Sequence, residues 1–216
     1  MPKLVREEAA ASIRDAVAVR YGELATQEAN LSCGGALELL APGAGEVVLD
    51  LGCGRGGDLL RALPLVGPNG AALGVDASPK MVEAARARLA AHRNAWIVHG
   101  DLAAVPLPDA VADALVSNCA INHALDKLAV FREVRRLLRP GGRMVVSDVV
   151  SETALPESVR SDPAAWAACY GGAIPEDEYL AAIALCGLRG VRVLRRTVPY
   201  SKGAVEVRSL TVEARA

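Results

Sequence analysis

Short apolar runs and stretches of helical period take turns along most of this chain. Consecutive apolar or β-branched residues at 46–51, 72–75, 96–99, 112–117 and 143–150 read as buried strands. Between them lie segments with apolar positions at helical spacing, such as Leu128, Phe131, Val134, Leu137 and Leu138. Helix signals flank these segments: Ser78-Pro79 offers a cap and a first-turn proline for a helix to about residue 91, and Asp126 caps the next. A first helix is expected at 7–21 and a short apolar one at 36–40. Two more are expected after the fifth strand, at 162–170 and 175–186, stopped by Gly171-Gly172 and Gly187. Two β-rich runs, 191–200 and 205–212, flank Ser201-Lys-Gly203 and read as a hairpin. Alternating strands and helices predict an α/β fold: a parallel sheet with helices on both faces.

Chemistry enters at the end of the first strand. Asp50-Leu-Gly52-Cys-Gly54-Arg-Gly56-Gly-Asp58 is a glycine-rich loop between a strand and a helix. Its glycines let the backbone turn sharply and approach a nucleotide-like ligand closely. Dehydrogenases, flavoproteins and methyltransferases all use such loops. Here carboxylates close the first three strands, at Asp50, Asp76 and Asp101. That arrangement suits the ammonium and hydroxyl groups of a ligand without phosphates. Asp76 is placed for a ribose diol and Asp101 for an adenine amino group; the plainer reading of both is loop capping.

Composition narrows the partners. The chain has 216 residues, 52% hydrophobic, with a net charge of −1, so no global field draws it to nucleic acid or anionic lipid. Aromatics at 3% leave little for base stacking. The charged amino terminus and the lack of a long apolar stretch predict a soluble, cytoplasmic protein with no membrane partner. Five cysteines without a CxxC pair are expected to be reduced thiols rather than a zinc knuckle or a disulfide framework.

The turn Leu137-Leu138-Arg139-Pro140-Gly141-Gly142, with the terminal hairpin, resembles the class I S-adenosylmethionine-dependent methyltransferases. The resemblance implies a seven-stranded Rossmann-like sheet with an antiparallel last strand. It implies cofactor contacts at Tyr21, Asp50, Gly52, Gly54, Asp58, Asp76, Asp101 and Asn118. The expected organisation is an N-terminal helical segment, 1–45, covering the cofactor site, and a methyltransferase core, 46–216, with a helical insertion at about 152–187.

More specific stretches are Ser117-Asn-Cys-Ala-Ile-Asn122, Asp126-Lys127-x-x-Val130-Phe-Arg-Glu133 and Ser147-Asp-Val149. Another is Leu155-Pro156-x-x-Val-Arg-x-Asp162-Pro-x-x-Trp166-x-x-Cys169-x-Gly171-Gly-Ala173. Together they resemble the arsenite methyltransferase family. That resemblance implies trivalent arsenic bound by Cys119 and Cys169, with Cys33 as the third ligand, and a thiol reductant such as glutathione or thioredoxin. Typical members continue into a further domain after the hairpin, so a short form without that domain is expected here. The chemistry is coherent: arsenic(III) is soft and thiolate is a soft ligand. Thiolates would hold arsenic with its lone pair toward a sulfonium methyl, and arsenic has no proton to lose, so positioning supplies most of the catalysis. Two other readings stay open: a same-fold methyltransferase for a small organic acceptor, a quinone precursor or a thiol, and a non-catalytic metalloid sensor. Cys53 and Cys186 read as packing residues, His123 as a loop histidine, and Trp166 as core or site wall. Cys169, near a helix carboxyl end, sits where the dipole disfavours a thiolate.

Overall fold

A computed structural model describes residues 3–26 and 35–216, with side chains from Glu7 onward. Cys33 lies outside the described residues. Helices α1 (Lys3–Leu24) and α2 (Ala36–Leu40) precede an alternating series. It runs β1 (Val47–Leu51), α3 (Gly57–Val66), β2 (Ala71–Asp76), α4 (Pro79–Leu89), β3 (Ala95–His99) and β4 (Ala112–Asn118). Then come a 3-10 turn (Ile121–His123), α5 (Lys127–Leu137) and β5 (Leu138–Ser151). Helices α6 (Glu157–Arg160), α7 (Pro163–Ala167) and α8 (Glu176–Leu185) lead into β6 (Arg189–Arg196), β7 (Tyr200–Lys202) and β8 (Val205–Arg215).

The capping signals act as their chemistry requires. Ser78 accepts the Met81 amide at 3.5 Å, Asp126 that of Ala129 at 2.9 Å and Asp162 that of Ala164 at 2.9 Å. The sheet order is β3-β2-β1-β4-β5-β8-β6. Strands β1 to β5 pair in parallel, and β8 runs antiparallel between β5 and β6. Both faces are covered. Leu49, Leu51, Leu115 and Met144 pack with Phe131 and Tyr179 of α5 and α8. Between them in sequence, Val48, Ala114, Val116 and Val145 face Leu37 and Leu40 of α2 and Val66 of α3. Burial on both faces explains why these strands read as continuous apolar runs rather than alternating ones.

Eight strands form rather than the expected seven. The run at 191–200 does not continue as one strand: β6 stops at Arg196, and Pro199, lacking an N–H, precedes β7. Thr197 bridges the break, its amide donating to the Ser209 carbonyl and its hydroxyl accepting the Ser209 amide. The tight hairpin therefore joins β7, not β6, to β8, with Lys202 opposite Val205 and Gly203 at φ +61°. Two helical expectations also change. Residues 157–160 form a helical turn that no apolar periodicity announced, and the helix from Pro163 ends at Ala167, because Cys169 adopts φ +67°.

Candidate active site

In a parallel sheet the strand carboxyl ends and the loops leaving them form a crevice. Here they open onto a cavity of about 1050 Å³ that α1 borders from the other side. Tyr21, Asp50, Gly52, Gly54, Asp58, Asp76, Asp101 and Asn118 all line it, as do Cys119 and Cys169.

The glycine loop is folded back onto β2. The amides of Gly52 and Cys53 both donate to the Val75 carbonyl, at 2.8 and 3.0 Å. Gly52, Gly54 and Gly56 have φ of +78°, +51° and +72°, the left-handed region where a side chain is strained. They differ in surroundings. A Cβ at 52 would lie 2.1 Å from the Ala120 Cβ, whereas one at 54 would meet nothing within 4 Å among the described residues. Gly52 is needed for packing, and Gly54 leaves an open cradle.

Asp76 fastens this loop. One carboxylate oxygen accepts the Gly54 amide and the other the Ser78 amide, both at 2.8 Å. The capping reading of Asp76 is therefore realised while its carboxylate still borders the cavity. Asp101 is exposed and accepts the Ala103 amide at 2.9 Å. Asp50 is buried; burial first, then Asp58 and Asp76, pushes its carboxyl well above the usual range. Asp58 is raised by burial too, with Arg61 at 2.9 Å and the Asn118 amide at 2.6 Å as partners. The Asn118 Oδ1 atom is buried and has no hydrogen-bond partner among the described residues. A pocket crowded with carboxylates, an orphaned amide oxygen and an open glycine cradle fits a cationic, hydroxyl-bearing ligand such as S-adenosylmethionine.

Cys119 and Cys169 face the other side. Both are buried, and both sit at positive φ, +53° and +67°, which is uncommon for cysteine and holds the side chains where a regular strand or helix would not. The Cys119 amide donates to the Ser147 carbonyl at 2.8 Å, and that of Cys169 to Trp166 at 3.0 Å. Helix α7 is a five-residue turn that ends before Cys169, so little dipole bears on this thiol. Tyr21, from α1, places its hydroxyl 3.2 Å from the Cys169 sulfur and 2.9 Å from the His123 Nε2 atom. Burial, with the Cys169 sulfur next in weight, raises the Tyr21 phenol, which stays protonated. Burial pushes the His123 imidazole down to about 4, so it is neutral at physiological pH. His123 was expected as an ordinary loop residue; its only sequence signal was its place four residues after Cys119.

The remaining candidates pack. Trp166 is buried, donates from its indole to the Arg160 carbonyl at 2.8 Å and lies outside the cavity lining. Cys53 is buried against Gly74, and Cys186 is half-buried with its thiol 3.4 Å from the Leu128 carbonyl. Among the described residues no group of three or more His, Cys, Asp or Glu side chains is placed to hold a metal ion.

The family model of a methyltransferase domain matches residues 42–193. The chain belongs to the methyltransferase domain family. An arsenite methyltransferase of Halobacterium salinarum is 37% identical to this chain over 165 residues, 76% of the chain and 42% of the relative. Another, of Aquipseudomonas alcaligenes, is 41% identical over 136 residues, 59% of the chain and 39% of the relative. The chain thus spans less than half the length of these curated relatives. A solved structure of an arsenic(III) S-adenosylmethionine methyltransferase from Chlamydomonas reinhardtii superposes with a TM-score of 0.73 at 28% identity, covering 94% of this chain and 72% of that one. The S-adenosylmethionine-dependent methyltransferase expected from the sequence is borne out in family and fold, with a sheet of eight strands instead of seven. No described helix is long and apolar enough to cross a membrane.

Proposed function

We propose that this methyltransferase transfers a methyl group to trivalent arsenic held by Cys119 and Cys169. The observation that carries the reading is that two thiols fifty positions apart line one cavity with the glycine loop and its carboxylates. The arsenite methyltransferase relatives support the same acceptor. Cys33 is proposed as the third arsenic ligand on the family resemblance.

The chain's part in the reaction is binding and orientation. Asp50, Asp58 and Asn118 offer acceptors to the cofactor's ammonium end, Asp76 and Asp101 to its hydroxyls and base, and the Gly54 backbone leaves room for it. S-adenosylmethionine supplies a sulfonium methyl group. Across the cavity the thiols take up arsenic by ligand exchange. Each new S–As bond replaces an As–OH bond, and the thiol proton leaves with the hydroxide as water. Thiolate donation then raises electron density on arsenic, and the site needs no general base for the acceptor. A cellular thiol, glutathione or thioredoxin, is the proposed reductant that returns methylated arsenic to the trivalent state.

The test is incubation of purified protein with labelled S-adenosylmethionine, a thiol reductant and either arsenite or no acceptor. Methylated arsenic should form, and Cys119→Ser or Cys169→Ser should lower the rate at least a hundredfold while cofactor binding persists. Absence of arsenite binding would transfer the assignment to an organic acceptor, and tight binding without turnover would make the chain a sensor.

A further inference from the structure

Three polar atoms close a triangle beside the acceptor thiols. The Tyr21 hydroxyl lies 2.9 Å from His123 Nε2 and 3.2 Å from the Cys169 sulfur, and that sulfur lies 3.2 Å from His123 Nε2. The Tyr21 and His123 rings also meet edge to face, with centroids 5.0 Å apart at 77°. The three residues come from α1, from the turn after β4 and from the segment after α7.

His123 is the fixed corner. Its amide donates to the Ala120 carbonyl at 3.1 Å. The neighbouring Asn122 side chain is clamped to the Val149 carbonyl of β5 at 2.6 Å. Gly172 lies so close that a Cβ there would fall 2.0 Å from the Asn122 carbonyl oxygen, which locks the Cys169 segment onto the same turn. Tyr21 is the movable corner, because α1 is largely exposed and brings few buried residues to the core, Ile13 among them.

As an acceptor, an imidazole nitrogen has one lone pair and serves one donor at a time. With the imidazole proton on Nδ1, the thiol and the phenol compete for Nε2, and two arrangements of the donors are open to the triangle. In one the thiol donates to the imidazole and the phenol to sulfur. In the other the phenol donates to the imidazole and the thiol to the phenol oxygen. A thiol bonded to arsenic has lost its proton, so only the phenol can then donate to His123.

We propose that His123 is a positioning residue that ties loading of Cys169 to the ordering of α1 over the cofactor, through the Tyr21 hydroxyl. The inference rests on Cys169 taking the acceptor. His123 acts through two neighbours and has no chemical step of its own. Its consequence is that acceptor and cofactor sites are energetically coupled, each ligand tightening the other.

Calorimetric titration with S-adenosylhomocysteine, with and without saturating arsenite, measures this coupling without turnover. Arsenite should tighten binding to the wild-type chain roughly five- to tenfold. His123→Phe, which keeps a ring but no acceptor, should bind both ligands with the coupling below about twofold, a cut toward the no-coupling limit of one. His123→Asn, whose carboxamide still offers an acceptor, should recover part of it. Tyr21→Phe removes a single oxygen and gives the same test if His123→Phe fails to fold. Coupling that persists in both Phe variants overturns the proposal, as does a wild-type chain that binds arsenite with no coupling. A wild-type chain that binds no arsenite is a different failure: the acceptor reading falls and takes this inference with it.

Discussion

Two glycines separated by one residue do different work, and alanine at each distinguishes packing from binding. At Gly52 the new methyl would overlap Ala120 and sit at φ +78°. Gly52→Ala is expected to cost roughly 4 kcal/mol or more by urea denaturation, in the range reserved for steric failure in a core. At Gly54 the methyl would enter open space at φ +51°. Gly54→Ala should cost only about 1–2 kcal/mol, the left-handed strain of a single L-residue. Its S-adenosylhomocysteine affinity should nevertheless fall at least tenfold, because the cradle is filled. Equal stability losses at the two positions would contradict this division.

Asp50 makes a second case. Burial and its two carboxylate neighbours raise its pKa in the folded chain. The folded state then holds more protons than the unfolded one, so stability falls as pH rises from about 4, the unfolded value, through the elevated folded value. Asp50→Asn has no proton to hold. Its melting temperature should equal or exceed that of the wild type at pH 8 and lose this advantage by pH 4, while S-adenosylhomocysteine binding weakens at all pH. Parallel melting profiles for the two proteins across that range would show that Asp50 is not a disfavoured carboxylate.

Sequence patterns were most informative where one local interaction decides the outcome. The strands β1, β2, β4 and the central part of β5 were legible because burial on both faces enforces apolar runs. Ser78, Asp126 and Asp162 were legible as caps because they act within three residues of themselves. Asp50, Asn118 and Cys119 could be expected at one cavity because they lie at or just past the carboxyl ends of strands of a parallel sheet. What was not legible depended on distant partners. The break of β6 relies on Thr197 pairing with Ser209, and the early end of α7 on Cys169 turning left-handed. His123 joins the site only because Tyr21 and Cys169 arrive from 102 and 46 positions away. No spacing rule contains that information.

Helix α1 is the element expected to respond most to occupancy. It borders the cavity through Arg14, Val17, Tyr21 and Leu24 yet leaves most of its surface in solvent. Its free energy of opening should be low in the empty chain. Hydrogen exchange is therefore expected to slow in residues 14–24 by at least an order of magnitude on addition of S-adenosylhomocysteine, with little change in β8. Equal protection of α1 and β8 before ligand is added would exclude α1 as a closing element.

The molecule as a whole gathers its chemistry on one end of a single sheet, so ligand binding there is linked to global unfolding. With a net charge of −1 the protein has no strong overall field, and the local carboxylate cluster governs the cofactor half. S-adenosylhomocysteine at a hundred times its Kd should stabilise the folded chain by about 2.7 kcal/mol. For a domain of this size that corresponds to a rise of roughly 5–10 °C in Tm. Arsenite should add a further shift that Cys119→Ser and Cys169→Ser each abolish, because both thiols are needed to hold arsenic against exchange with water. The cofactor-analogue shift should survive in both variants, since Asp76 holds the Gly54 amide and Arg61 and Asn118 hold the Asp58 carboxylate. Loss of the analogue shift in a Ser variant would mean instead that the two halves are one inseparable binding unit, and the acceptor assignment would then need evidence from arsenic bound directly to the sulfurs.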